Sequence, residues 1–144
     1  MSYKIEDVEG IGPAYAKKLA AASITTTDHL LDKCCTPAGR KAVAEATGLS
    51  ESVILKWSNM ADLMRISGVG SQFSELLNGA GVDTIKELRN RNAANLAAKM
   101  EEVNTEKKLA KVAPTEATIT KWIDAAKTMD PKLTYYVQRD PVLS

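Results

Sequence analysis

The chain has 144 residues, enough for one domain or two very small ones, and 44% of them are hydrophobic, as in ordinary globular proteins. Its aromatic residues are one Phe, two Trp and four Tyr, so aliphatic side chains must form most of the core, which favours packed helices. A net charge of +1, from 19 Lys and Arg against 18 Asp and Glu, is far below the basic excess of a dedicated nucleic-acid-binding protein.

The first residues of the chain carry scattered charges and no long apolar run. We therefore expect neither a signal peptide nor a membrane-spanning helix, and a cytoplasmic location is the default.

Residues 10–12 read Gly-Ile-Gly, and Pro13 suits the first position of a helix because its missing N–H costs nothing there. Apolar residues then recur at helical spacing and predict one buried face, at Tyr15, Leu19 and Ala22.

The sequence contains an internal repeat, with residues 8–19 aligned on residues 66–77 at a separation of 58 positions (68 − 10). Residues 50–57 match residues 115–122 at a separation of 65 (122 − 57). The second copy should therefore hold seven more residues (65 − 58), which we place in the polar stretch 101–111. We expect an all-α protein with a first repeat in residues 1–60, a second in residues 61–129 and an extended tail in residues 130–144.

The two copies differ at the turn that follows their hairpin helix. In the second copy, Gly81 supplies a left-handed helix stop, and Thr84 with Glu87 predicts a capping box at the start of the next helix. The first copy has Ser23 in place of Gly81, so we expect strain in its turn.

The first Gly-Ile-Gly segment has the composition of a phosphate-binding hairpin. Bare glycine backbone can present N–H groups to a phosphate oxygen, together with the positive end of the helix that follows. Lys17 and Lys18 can add charge there, and neither lies on the apolar face of the helix. The predicted site comprises Gly10, Ile11, Gly12, Lys17 and Lys18.

The second hairpin is a weaker candidate, with Gly68, Val69, Gly70 and Gln72 as its predicted residues. Glu75 occupies the position of Lys17, and a carboxylate repels a phosphate. The alternative for both hairpins is structural, with glycines that only let two helices approach closely.

Residues 10–19, which read Gly-Ile-Gly-Pro-Ala-Tyr-Ala-Lys-Lys-Leu, resemble the motif of the helix-hairpin-helix superfamily. The chain up to about Lys127 also resembles an uncharacterised bacterial family, a domain of unknown function, that pairs two such motifs with Lys-Trp helices. Its members are often described as flap-endonuclease-like on the hairpin alone. The resemblance implies tandem helix-hairpin-helix repeats packed as one compact helical domain, and sequence-independent contact with a DNA backbone. Some hairpins of the superfamily serve only protein contacts.

Several other sequence patterns indicate packing or capping roles rather than a binding or catalytic site. Trp57 and Trp122 lie at matching positions on apolar helices, which points to packing between the repeats. Residues 44–54 have helix-turn-helix spacing with Ser50 as an N-cap, but few polar side chains remain to read bases. His29 suits a surface or capping role, because no second ligand or nucleophile is near it in the sequence.

The sequence offers no catalytic machinery. Acidic residues are scattered, a nucleotide-binding glycine loop is absent, and the adjacent Cys34 and Cys35 suit reduced thiols more than a disulfide or a zinc site. We therefore expect no enzyme activity, no cofactor, no metal, no small-molecule substrate and no membrane contact.

Two functions remain open, one of them a weak, sequence-independent DNA contact. The other is a helical protein-protein adaptor or scaffold with structural hairpins, a reading that the near-neutral charge favours. Partners or self-association would then use the repeat faces or the C-terminal tail. The second repeat's last helix, residues 118–127, has no hairpin after it, so we predict that it packs back on the first hairpin.

Overall fold

In the computed structural model, which describes residues 2–134, the chain is all-α, as expected. A 3₁₀ turn (Ile5–Asp7) precedes eight α-helices, and these residues contain no strand beyond one isolated bridge between Lys4 and Thr26. The helices are α1 (Pro13–Ala21), α2 (Thr27–Cys34), α3 (Pro37–Thr47), α4 (Glu51–Leu63), α5 (Ser71–Gly79), α6 (Ile85–Leu88), α7 (Ala93–Lys107) and α8 (Glu116–Lys127).

The buried apolar side chains form two clusters. The N-terminal cluster draws on the 3₁₀ turn and α1–α4, and the C-terminal cluster draws on α5–α8. Helix α4 joins them, because Met60 and Ala61 belong to the N-terminal cluster and Leu63 belongs to the C-terminal cluster. The boundary placed between residues 60 and 61 thus falls inside a helix that both cores share.

The chain before α1 has no α-helix in its described residues, only extended backbone and one turn of 3₁₀ helix (Ile5–Asp7). The Ile5 N–H donates to the Thr25 carbonyl (3.0 Å), and the Thr27 N–H donates to the Tyr3 carbonyl (2.9 Å). At the matching point of the second half, the Ile85 N–H donates instead to Oδ2 of buried Asp62 in α4 (2.9 Å). In the first half, the extended backbone at Tyr3 therefore provides the acceptor that Asp62 of α4 provides in the second half.

The turns after α1 and α5 have the geometry that their sequences predict. Gly81 has a φ of 92°, and Ser23 has a φ of 66°, the left-handed region that costs a non-glycine residue about 1 kcal/mol or more. The seven additional residues enter through α7, which has 15 residues where α3 has 11, and through the longer segment 108–115 after it.

The prediction that residues 118–127 pack back on the first hairpin is wrong. Helix α8 packs against α6 and α7, and Trp122 lies in the C-terminal cluster. Arg89 secures the end of α8, because its Nη2 donates to the carbonyl of Ala126 (3.1 Å) and to that of Met129. Segment 108–115 returns the chain directly onto α7, so α8 stays with its sequence neighbours, as short connections favour.

The tryptophans also pack differently from the prediction. Trp57 lies against Tyr15 of α1 and Trp122 lies against Phe73 of α5, each with ring centroids 5.4 Å apart. Each ring therefore packs within its own half rather than between the two repeats.

The segment after α8 reaches the N-terminal cluster. Leu133 is buried there, and the Thr134 N–H donates to the Cys35 carbonyl (2.7 Å). Buried Arg40 donates to the carbonyls of both Cys34 (2.9 Å) and Thr134 (2.7 Å). The predicted tail thus begins by docking along α2 and α3, and its residues 135–144 lie outside the described part of the chain.

Within residues 2–134, no helix combines the length and the apolar character needed to cross a membrane.

Candidate functional site

The first glycine loop, residues 10–12, is held by its backbone conformation and by Trp57. Gly10 has a φ of 93°, which strongly favours glycine, and a Cβ built on it would lie 3.4 Å from Nε1 of Trp57. Ile11 is buried, and its N–H donates to the Val8 carbonyl (3.0 Å). The loop is therefore rigidly seated, with Ile11 inward and both glycines toward solvent.

The second glycine loop, residues 68–70, has the same construction. Gly68 also has a φ of 93°, and its Cβ position lies 3.4 Å from Nε1 of Trp122. Val69 is buried and its N–H donates to the Ile66 carbonyl (3.1 Å). The two sequences therefore give the same local geometry, each against its own tryptophan.

The last glycine of each loop needs another explanation, because neither conformation nor packing requires it. Gly12 (φ −85°, ψ −178°) and Gly70 (φ −99°, ψ −161°) are in extended backbone that any residue adopts. A Cβ added to either one meets nothing within 4 Å. The missing side chain leaves open space in front of a helix.

These two glycines are the N-caps of α1 and α5, and neither helix receives a side-chain cap. The other six α-helices in residues 2–134 do, from Thr26, Thr36, Ser50, Thr84, Asn92 and Thr115. An uncapped helix leaves its first N–H groups and the positive end of its dipole available to an anion. In α1 the donors begin at Ala14, because Pro13 has no N–H.

The two glycine loops are neighbours in space. The Ser71 Oγ, at the start of α5, donates to Glu9 Oε2 beside the first loop (3.0 Å). The Tyr3 hydroxyl donates to the Val69 carbonyl in the second loop (3.5 Å). A carboxylate is thus held at the N-terminus of α5, which disfavours a second anion at that point.

The predicted lysines lie beside the first loop on the exposed side of α1. Lys17 and Lys18 are the fifth and sixth residues of α1, and helical side chains lean toward the N-terminus. Neither belongs to a salt bridge among residues 2–134. Gln72 is exposed in the first turn of α5, and Glu75 is half-buried in the second turn. The predicted polar residues of each loop thus lie in the first two turns of the helix that follows it, and Lys17 of α1 is aligned with Glu75 of α5.

One basic residue at the second loop, Lys121, is not among the residues predicted from the sequence. Lys121 of α8 borders a groove beside Gly68, together with Ser67, Thr118 and Trp122. Lys56 precedes Trp57 of α4 in the same way and is exposed. The aligned Lys-Trp pairs could have indicated Lys121, but only if each tryptophan were known to pack against the glycine loop of its own half.

The remaining titratable candidates have structural roles. His29 Nδ1 accepts from the Thr25 N–H (3.3 Å), as Glu87 Oε2 accepts from the Asp83 N–H (3.1 Å), so His29 takes part in capping α2. Burial raises the pKa of the Cys34 thiol to about 11, so it stays protonated at neutral pH. Residues 2–134 hold no group of three or more His, Cys, Asp or Glu placed to bind a metal ion.

The segment with helix-turn-helix spacing, residues 44–54, does not present a helix face that could contact DNA bases along its length. Ser50 caps α4 as expected, since its Oγ accepts from the Val53 N–H (3.2 Å). From Trp57 to Leu63, however, every residue of α4 is buried. Bases could therefore reach only its first turns.

The comparisons place the chain in a family. Residues 9–129 match the family described as Domain of unknown function (DUF4332), and the chain belongs to it. The match begins beside the first glycine loop and ends just after α8. No curated protein and no solved structure matches the chain.

Proposed function

We propose that the chain is a non-enzymatic helix-hairpin-helix module that binds the phosphate backbone of DNA weakly and without sequence preference. One observation carries the proposal: the two helices without a side-chain cap are those that follow a glycine loop. A glycine there, with no conformational or steric need for it, leaves room for an outside acceptor. A phosphate oxygen is the acceptor that helix N-termini commonly bind.

The charges beside the loops support a backbone contact. Lys17 and Lys18 serve the first loop, and Lys121 serves the second. Contacts of this kind carry no sequence information, since backbone N–H groups and lysines meet phosphates rather than base edges. With a net charge of +1 and Glu9 at the start of α5, binding should be weak and confined to a few phosphates.

The adaptor remains a second proposal, favoured by the near-neutral charge. The exposed large hydrophobic residues of the described chain are Tyr15, Val53 and Val112. They come from α1, α4 and segment 108–115, and isolated apolar side chains of this kind are normal on protein surfaces. This scattering gives the adaptor less support than the uncapped helices give the DNA contact.

A salt titration of DNA binding tests the proposal. The logarithm of the affinity should fall by about 0.9 per phosphate contact for each log unit of salt, so two to four contacts give a slope of about −2 to −4. Lys17→Glu with Lys18→Glu should abolish binding, because repulsion replaces attraction at the first loop. If duplex, single-stranded and branched DNA all fail to bind at low salt, the DNA proposal is wrong and the adaptor takes its place.

A charge-matched control is available at the C-terminal end of α1. Lys33→Glu with Lys41→Glu changes the net charge by the same amount. Lys33 borders a groove with Ala22, the C-cap of α1, and with Ala42, the neighbour of Lys41, so this pair is beside the end of α1 that is remote from its glycine loop. At moderate salt the control should weaken binding by no more than about threefold, because distant charges are screened.

A further inference from the structure

Both tryptophans of the chain place an indole N–H at a glycine loop. Trp57 is 4% exposed and Trp122 is 3% exposed, and each Nε1 lies 3.4 Å from the Cβ position of the loop's first glycine. The indole N–H of a largely buried tryptophan normally finds a hydrogen-bond acceptor, either in the protein or at the edge of the solvent. Two donors at equivalent places therefore need their acceptors identified.

No hydrogen bond joins either indole N–H to an acceptor among residues 2–134. The only fully buried side-chain polar atom without a partner in these residues is Nε of Arg89, so each indole nitrogen is open to solvent at its loop. An indole N–H donates and never accepts. What fits beside it is an oxygen acceptor, and at the Trp122 loop the ammonium group of Lys121 favours an anionic one.

The groove at Trp122 is better equipped than its counterpart at Trp57. Ser67, Thr118 and Lys121 border it, which adds two hydroxyl groups and an ammonium group to the indole. At the aligned positions, the first half has Glu9 for Ser67 and Val53 for Thr118, and it keeps Lys56 for Lys121. A carboxylate and an apolar side chain thus stand where the second half has donors.

We infer that the groove bordered by Ser67, Thr118, Lys121 and Trp122 is an oxyanion subsite, in which Nε1–H of Trp122 donates to a phosphate oxygen. The inference rests on the proposed function and names a second contact point for the same backbone. Trp57 presents the same donor in a poorer setting, so its contact is weaker. The second half therefore contributes to phosphate binding even though Glu75 replaces Lys17.

The test uses the full-length protein labelled with ¹⁵N. Its two tryptophans give two indole N–H signals, which Trp57→Phe and Trp122→Phe assign. On titration with pyrophosphate or a short DNA duplex at low salt, the Trp122 signal should move downfield and saturate, and it should move more than the Trp57 signal. Chloride at equal ionic strength should move neither. A Trp122 signal that stays in place with both ligands, or moves equally with chloride, overturns the inference.

Substitutions separate this inference from the DNA proposal. Trp122→Phe keeps an aromatic ring against Phe73 but removes the donor, and it should weaken DNA binding about three- to tenfold, within the range of one hydrogen bond to a charged group. Thr118→Val introduces the residue found at the aligned position 53 and should weaken binding about two- to threefold. It also serves as the test if Trp122→Phe does not fold.

The outcomes are distinguishable. If the protein binds DNA while the Trp122 signal is unmoved and both variants bind normally, the inference is wrong and the DNA proposal stands. If DNA does not bind but pyrophosphate moves the Trp122 signal, the subsite stands and the DNA proposal falls. Lys33→Glu with Lys41→Glu, on helices of the N-terminal half, should leave the pyrophosphate response unchanged.

Discussion

The two glycine loops have the same backbone and different neighbours. Gly10 and Gly68 share a φ of 93°, and each lies against a tryptophan at the same distance. Their helices are placed differently, because α5 packs between α4 and α7, whereas α1 contacts α3 and the 3₁₀ turn. Lys18 is consequently exposed in α1 where its aligned residue, Leu76, is fully buried in α5.

This difference shows that the loop motif determines the backbone conformation, whereas the helices packed around the loop determine the charge beside it. The glycines and the tryptophan are sufficient to reproduce the loop twice. The charge offered beside the loop depends on how much of the following helix the rest of the protein covers. The first loop draws its charge from its own helix, and the second draws it from α8.

The largest expected change in the free energy of unfolding tests whether the two loops share the same backbone conformation. Gly10→Ala and Gly68→Ala should each lower the free energy of unfolding by about 1–2 kcal/mol, because a Cβ is strained at a φ of 93°. Gly12→Ala is the matched control and should change it by less than about 0.5 kcal/mol, since its backbone is extended and its Cβ meets nothing. Urea denaturation measures all three, and a control as damaging as Gly10→Ala would contradict the assignment of roles.

A smaller change in stability, caused by rising pH, should come from the Cys34 thiol in the N-terminal cluster. The pKa of Cys34 is raised by burial from 9.0 to about 11, so the unfolded chain loses this proton first as the pH rises. Stability is therefore full below about pH 9 and declines toward pH 11, by about 1 kcal/mol at pH 10. Thermal melts at pH 8 and pH 10 measure the loss.

Cys34→Ala supplies the control for this pH dependence, because the two proteins share every other titratable group. The variant should be less stable at pH 8 and should lose less on going to pH 10. Equal losses in the two proteins would mean that the Cys34 thiol does not titrate differently in the folded state.

The smallest change in stability sharpens the comparison at the N-caps. Gly12→Ser and Gly70→Ser should each raise the free energy of unfolding by a few tenths of a kcal/mol, because serine caps a helix slightly better than glycine. Both should weaken DNA binding, since the new hydroxyl occupies the N–H groups offered to a phosphate. Melting temperatures and binding isotherms of the same samples measure the two effects, and tighter binding would contradict the role of the uncapped ends.

Local features of this fold could be predicted from the sequence because they depend on neighbouring residues. The positive φ of Ser23 follows from its alignment with Gly81. The capping box is also local, with the Glu87 N–H donating to Thr84 Oγ1 (3.4 Å). The predicted residues of the first loop lie together for the same reason, since they are contiguous in the chain.

Contacts between distant parts of the chain could not be predicted from the sequence, because they depend on how the helices are arranged in space. The destination of α8 is set by segment 108–115, which carries no repeating apolar pattern. The approach of Glu9 to Ser71, 62 residues apart in the chain, requires the relative placement of the two loops. Lys121 could not be assigned to the second loop until the position of Trp122 was known.

The docking of Leu133 and Thr134 on the N-terminal cluster has a consequence for synthesis on the ribosome. Arg40 leaves the ribosome long before the Thr134 carbonyl that it binds, because 94 residues separate them. The buried residues of the C-terminal cluster, the last of which is Ala126, are all made before Leu133. The half of the protein that is translated first is therefore the half that is completed last, and a chain that stops after α8 has a finished second core and an open first one.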